Sequence, residues 1–130
     1  MKAGPSGHRA RGFARWQQSR RAAYAHRVVD TTSLTRAVDH FADRLRAAPQ
    51  SRLQRGAAAE ALALAREFAR RTQLAEEPGT EPREMPDAGM FAAADQITVA
   101  GHDLALVLRN EDEVAEAARL VEEAQKRAGV

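Results

Sequence analysis

The residues of this chain best suited to act on a partner stand before Asp30. Lys2, Arg9, Arg11, Arg15, Arg20, Arg21 and Arg27 occur there without a single Asp or Glu, and Phe13, Trp16 and Tyr24 are interleaved with them. A guanidinium presents a planar fork of donors that matches phosphate oxygens, and an aromatic ring between such groups can stack on a base or enter a membrane interface. The pattern points to an anionic macromolecule, nucleic acid first, with Arg9, Arg11, Arg15, Trp16, Arg20, Arg21 and Arg27 as the nucleic-acid-binding set. An anionic membrane surface is a second reading. A third is internal, because the later part of the chain is acidic. The net charge of +2 conceals fifteen Lys and Arg against five Asp and Glu in residues 1 to 71, and five against thirteen in residues 72 to 130. Such halves either attract one another across a folded core or address partners of opposite sign.

Other chemistries have no local signature here. The absence of cysteine excludes disulfides, thiolate metal sites and cysteine nucleophiles, and suits a reducing cytoplasm. His8, His26, His40 and His102 lack the i, i+4 spacing that sets two ligands on one helix face, so no metal is expected. His40 and Asp43, three residues apart, fit a surface hydrogen bond or ion pair better than a catalytic dyad. Neither phosphate-binding glycine pattern, G-x-x-x-x-G-K-[ST] or G-x-G-x-x-G, occurs, and there is no G-x-S-x-G elbow. The adjacent acids Glu76 and Glu77, and Glu122 and Glu123, fall in a polar loop and on a charged helix surface, poor places for a general acid. The expectation is a protein without cofactor and without catalysis of its own; an enzyme here would have to assemble its site from distant residues.

The elements that must carry these residues are helical. Hydrophobic residues make up 44% of the chain and aromatics only 5%, which favours close helix-on-helix packing over a sandwich of strands. Residues 1–7, with Gly4, Pro5, Ser6 and Gly7, should be disordered, and residues 8–130 should form a single helical domain. A first helix is expected from His8 to Val29, where Ala10, Phe13, Ala14, Tyr24, Ala25 and Val28 share one side, interrupted by Gln17 and Arg21. A second follows the capping candidates Asp30 to Ser33. Its stripe of Leu34, Ala37, Val38, Phe41, Ala42 and Leu45 has helical spacing, and Pro49 ends it. A third runs from Pro49 or Ser51 toward Ala75 along Leu53, Ala57, Ala61, Leu64 and Phe68. Gly56 inside it is either a tolerated helix glycine or a point of close backbone approach.

Residues 76–89, EEPGTEPREMPDAG, form a long acidic loop with prolines and glycines, expected to be flexible. Met90 to Arg109 is apolar on more than one side, as in a buried central helix; the alternative over residues 96–108 is a β-hairpin turning at Gly101, His102 and Asp103. The last helix has Asn110 and Glu113 as a capping box, Val114, Ala117, Val121 and Ala124 on one face, and Lys126, Arg127 and Gly129 at its end. A helix-turn-helix over residues 33 to 68 lacks a turn glycine, and Arg52 and Arg55 are the cations of the second helix's first turn.

The expected fold is all-α: an antiparallel bundle of four or five helices with one long acidic Pro/Gly-containing loop. The longest aliphatic run, Leu104 to Leu108, is too short to span a bilayer, so no integral membrane association is expected, and the cytoplasm is the expected location. Eighteen arginines against two lysines, with abundant alanine, is a composition that a high-GC bacterial genome produces. The functional expectation is a helical binding module that uses its arginine-rich beginning. The opposing one is a structural or protein-interaction bundle, such as a homodimer joined through surplus apolar surface on residues 90 to 108.

Overall fold

The structure, a computed structural model, describes residues 29 to 130. The expected disorder of residues 1–7 and the expected helix from His8 fall outside the described residues. The described part is all-helical, with no strand among its residues, and contains four long helices: α1 (Thr32–Ala47), α2 (Ala58–Glu76), α3 (Ala93–Val107) and α4 (Glu111–Ala128). The hairpin alternative for residues 96–108 is thereby excluded, since they lie in α3 and in its connection to α4.

Local chemistry sets the ends. Asp30 Oδ1 accepts from the Thr32 N–H at 2.9 Å, so the acid two residues ahead of α1 satisfies one of its first donors. That hydrogen bonding from Thr32 holds the Asp30 carboxyl below the usual carboxylate range. Ala48 and Pro49 then adopt extended ψ values of 144° and 151°; the first is the conformation that a following proline imposes on its predecessor. At α4, Asn110 accepts from the Glu113 N–H at 2.9 Å, while Glu113 reaches back to the Arg109 N–H at 2.7 Å. The reciprocal cap is present with its return bond one residue earlier than in the usual box. Gly129 closes α4 in the left-handed conformation, its N–H donating to the carbonyls of Gln125 and Lys126.

The helix expected from Pro49 to Ala75 is interrupted. A single turn, Gln50–Arg52, leads into a wide π-type turn, Leu53–Ala57, before α2 begins. The cause is Gly56, whose φ of 145° lies outside helical space. This glycine is neither a tolerated helix residue nor a point of close approach, because nothing stands within 4 Å of where its Cβ would be. It is a hinge in the backbone that redirects α2.

The core takes Leu34, Val38 and Phe41 from α1, Phe68 from α2, Ile97 and Leu104 from α3, and Val114 and Val121 from α4, all essentially fully buried. Of the helices adjacent in sequence, α2 and α3 pack extensively, whereas α1 with α2 and α3 with α4 do not. Among the described residues, α1 and α2 each pack chiefly on α3 and α4. The registers follow from specific pairs. Val38 and Asp39 of α1 meet Gly101 and His102 of α3, whereas Arg46 meets Asp95. Arg71 of α2 meets Glu116 of α4, whereas Glu60 meets Arg127.

The segment between α2 and α3 contains no regular element from residue 80 to residue 89, as the sequence requires, yet it is held rather than loose. It runs back along α2. Gln73 accepts from the Arg83 N–H and donates to the Arg83 carbonyl, both at 2.9 Å; Arg66 donates to the Met85 carbonyl at 2.8 Å. Gln96 of α3 donates to the Pro86 carbonyl at 2.8 Å. The return brings Met90 and Ala93 beside Leu53, Ala59 and Leu62, so α3 starts next to the start of α2. A simple up-and-down order would have placed it by the end of α2.

The expectation of a buried central helix at residues 90 to 109 also needs correction. One side of α3 is buried through Ala93, Ala94, Ile97, Ala100, Gly101, Leu104 and Ala105. Val99 and Leu106 are 57% and 74% exposed, and Phe91, in the 3-10 turn ahead of the helix, is 72% exposed. The surplus apolar residues that blurred the helical period face water.

Candidate functional site

The proposed nucleic-acid-binding residues Arg9, Arg11, Arg15, Trp16, Arg20, Arg21 and Arg27 all lie outside the described residues, as do His8 and His26. The described part shows how the remaining charge is disposed. Residues 29 to 130 carry thirteen Lys and Arg against eighteen Asp and Glu, an excess of five negative charges, whereas residues 1 to 28 carry seven positive charges and no acid.

Many of the described arginines are engaged. Arg46 bridges to Asp95 at 2.8 Å and to Asp43 at 3.4 Å. Asp95 is the main reason its guanidinium is held above the usual range. Arg66 pairs with Glu84 at 3.3 Å, Arg127 with Glu60 at 2.9 Å, and Arg119 with Glu123. Glu67 accepts from both Arg70 and Arg71 at 2.7 Å, and Arg71 reaches on to Glu116 at 3.5 Å. The Arg70 hydrogen bond, reinforced by Arg71, holds the Glu67 carboxyl below the ordinary carboxylate range against the opposing effect of partial burial. Arg44 and Arg52 donate to the carbonyls of Val130 and Gly129 at the end of α4. Three of these ion pairs, Arg46 with Asp95, Arg66 with Glu84 and Arg71 with Glu116, join an arginine of an early helix to an acid of the later part of the chain, so part of the charge asymmetry is neutralised internally. Asp103, Glu111 and Asp112 make no ion pair with any described residue.

Two side-chain groupings remain. The His40 and Asp43 pairing expected from their spacing does not form; Asp43 turns to Arg46, and His40 borders a shallow hollow with Glu122, Gln125 and Lys126. Instead His102 Nε2 lies 2.8 Å from Asp39 Oδ1, bridging α3 to α1 across 63 residues of sequence. Both side chains are about half exposed, at 45% and 55%. The second grouping is a hollow of about 470 Å³ between α2, the returning segment and α3, lined by Leu53, Ala59, Leu62, Met90 and Ala93, with Arg66 and Asp87 among its polar residues. Gln96 also lines it and has a buried Oε1 without a hydrogen-bond partner. Among the described residues no group of three or more His, Asp and Glu side chains converges in a metal-binding arrangement. No described helix is long and apolar enough to cross a membrane.

Compared with family models, curated proteins and solved structures, the chain matches none.

Proposed function

We propose that this chain is a non-enzymatic helical binding module that engages an anionic macromolecule, nucleic acid first, through the arginine-rich segment before Asp30. Its helices are read as a bundle in which α1 runs antiparallel to α3 and α2 to α4, with the strapped segment 77 to 89 as its one long acidic connection. The reading rests on one observation: seven cations, three aromatic residues and no acid precede a folded part whose own cations are largely committed to carboxylates and carbonyls. Positive potential left for a polyanion is therefore concentrated in residues 1 to 28, where guanidinium groups suit phosphate and Trp16 can stack on a base.

The test is binding to DNA and RNA oligonucleotides over a salt series, with the wild type and a variant carrying Arg9, Arg11, Arg15, Arg20 and Arg21 all as alanine. Affinity should fall steeply with salt, and five lost phosphate contacts should flatten the log–log slope by about 3.5 on single strands to 4.5 on duplex. Absence of binding at low salt with either nucleic acid refutes the reading. A second reading, a protein-interaction bundle that forms a homodimer, is favoured by the exposed Phe91, Val99 and Leu106; a concentration-dependent dimer without nucleic-acid binding would support it.

A further inference from the structure

The outward face of α3 presents a regular pattern. Phe91, Asp95, Val99, His102, Asp103 and Leu106 follow one another at i, i+4, i+8, i+11, i+12 and i+15, and all are exposed. Apolar side chains singly exposed are ordinary, but here three of them alternate with carboxylates along one row of about 22 Å. The row wants a covering partner that is itself apolar and cationic by turns.

We propose that residues 8 to 28 of the same chain lie along this face, with Phe13, Trp16 and Tyr24 against Phe91, Val99 and Leu106 and with arginines beside Asp103, whose carboxylate makes no ion pair with any described residue. Three observations select this occupant over a second copy of the folded part. The first is sign: residues 29 to 130 carry a five-charge acidic excess that repels its own kind, while residues 1 to 28 carry seven positive charges. The second is position. The pairs Asp39 with His102 and Arg46 with Asp95 put the first turn of α1 beside the last turn of α3, so the chain enters α1 near Leu106. Val29, the first described residue, is already half-buried against the core. The third is reach, because the roughly twenty residues from 8 to 28 extend about 30 Å as a helix and farther as extended chain, enough to follow the row from Leu106 to Phe91. The contact does not rest on the nucleic-acid reading but is coupled to it. A nucleic acid that stacks on Trp16 would compete with it.

Trp16 is the chain's sole tryptophan, so its fluorescence reads the contact directly in the full-length protein. In the absence of nucleic acid, Trp16 should be protected from acrylamide relative to the urea-unfolded chain, and the protection should persist on dilution. Val99→Asp and Leu106→Asp, each at an exposed position, should raise quenching toward the unfolded level and shift the emission to the red, while far-UV dichroism and cooperative unfolding are retained. Moderate salt should raise quenching in the wild type. Quenching of the folded wild type equal to that of the unfolded chain overturns the proposal, as does protection indifferent to both substitutions in folded variants. Protection that disappears on dilution, together with a dimer in sedimentation equilibrium, would assign the face to a second copy instead.

Discussion

Gly101 is the position where the packing of α3 on α1 can be tested most sharply, because two established effects of replacing glycine by alanine have opposite signs there. In a helix interior alanine is more favourable than glycine by about 1 kcal/mol. Against this, a Cβ on Gly101 would sit 2.5 Å from Val38 Cγ2, 2.9 Å from Cγ1 and 3.2 Å from Cβ. The nearest of these is about 1 Å inside the optimum carbon separation of about 3.5–4.0 Å. Val38 is fully buried, and as a β-branched helix residue it has one favoured rotamer, so it cannot turn aside cheaply. Overpacking of this kind costs about 1–3 kcal/mol, and with two Val38 methyls inside 3 Å the cost falls in the upper part of that range, so Gly101→Ala should destabilise by about 1–2 kcal/mol net. Urea unfolding followed by dichroism at 222 nm measures it. Val38→Ala alone should cost about 2 kcal/mol through lost methyl burial and a residual cavity. In that background Gly101→Ala should become neutral or stabilising, giving a coupling of about 2 kcal/mol. Stabilisation by Gly101→Ala in the wild type, or strict additivity of the pair, would refute the close approach of the two helices.

Two further outcomes follow from local geometry. Gly56→Ala meets no neighbour but forces a side chain into φ 145°, so it should destabilise by about 1–3 kcal/mol where an ordinary helix glycine would give a gain; the same urea titration decides. Glu67, its carboxyl held low by Arg70 and Arg71, contributes stability that is present above its unfolded-state pKa and lost as pH falls through its lower folded-state pKa. Glu67→Gln should therefore cost about 0.5–1 kcal/mol at neutral pH and much less in acid below that point, and an equal cost at both pH values would contradict the role given to the two guanidinium groups.

What could be read from the sequence was whatever depends on neighbours within a few residues. The Asn110 and Glu113 cap, the stop at Pro49, the Gly129 terminus and the buried stripe from Leu34 to Leu45 are set by spacing and by the chemistry of single side chains. Gly56 was ambiguous because helical and non-helical glycines look alike until φ is known. Residues 77 to 89 were legible as irregular, but their attachment was not: Gln73 and Arg66 bind the carbonyls of Arg83 and Met85, acceptors that every residue carries. The Asp39 and His102 bridge was hidden by its separation, and Gly101 beside it left a hairpin turn open as the alternative, because the passage of another helix against it shows only once the chain is folded. At α3, polar and apolar residues on the outer face diluted the helical period and imitated a helix buried all round. The arginine-rich segment is legible as charge alone, since chemistry at a phosphate depends on side-chain identity rather than on where the bundle places it.

The partition of contacts means that the first two helices complete their packing on the last two rather than on each other. While only the first two have been synthesised, α1 and α2 expose their apolar stripes with nothing to cover them, and Leu34, Val38, Phe41 and Phe68 wait for α3 and α4 to emerge. Packing α1 on α3 and α4 closes large loops, an entropic cost that slows folding relative to local helix pairing. The two halves are obligate complements, and fragments severed within the strapped segment would recover structure only by finding each other.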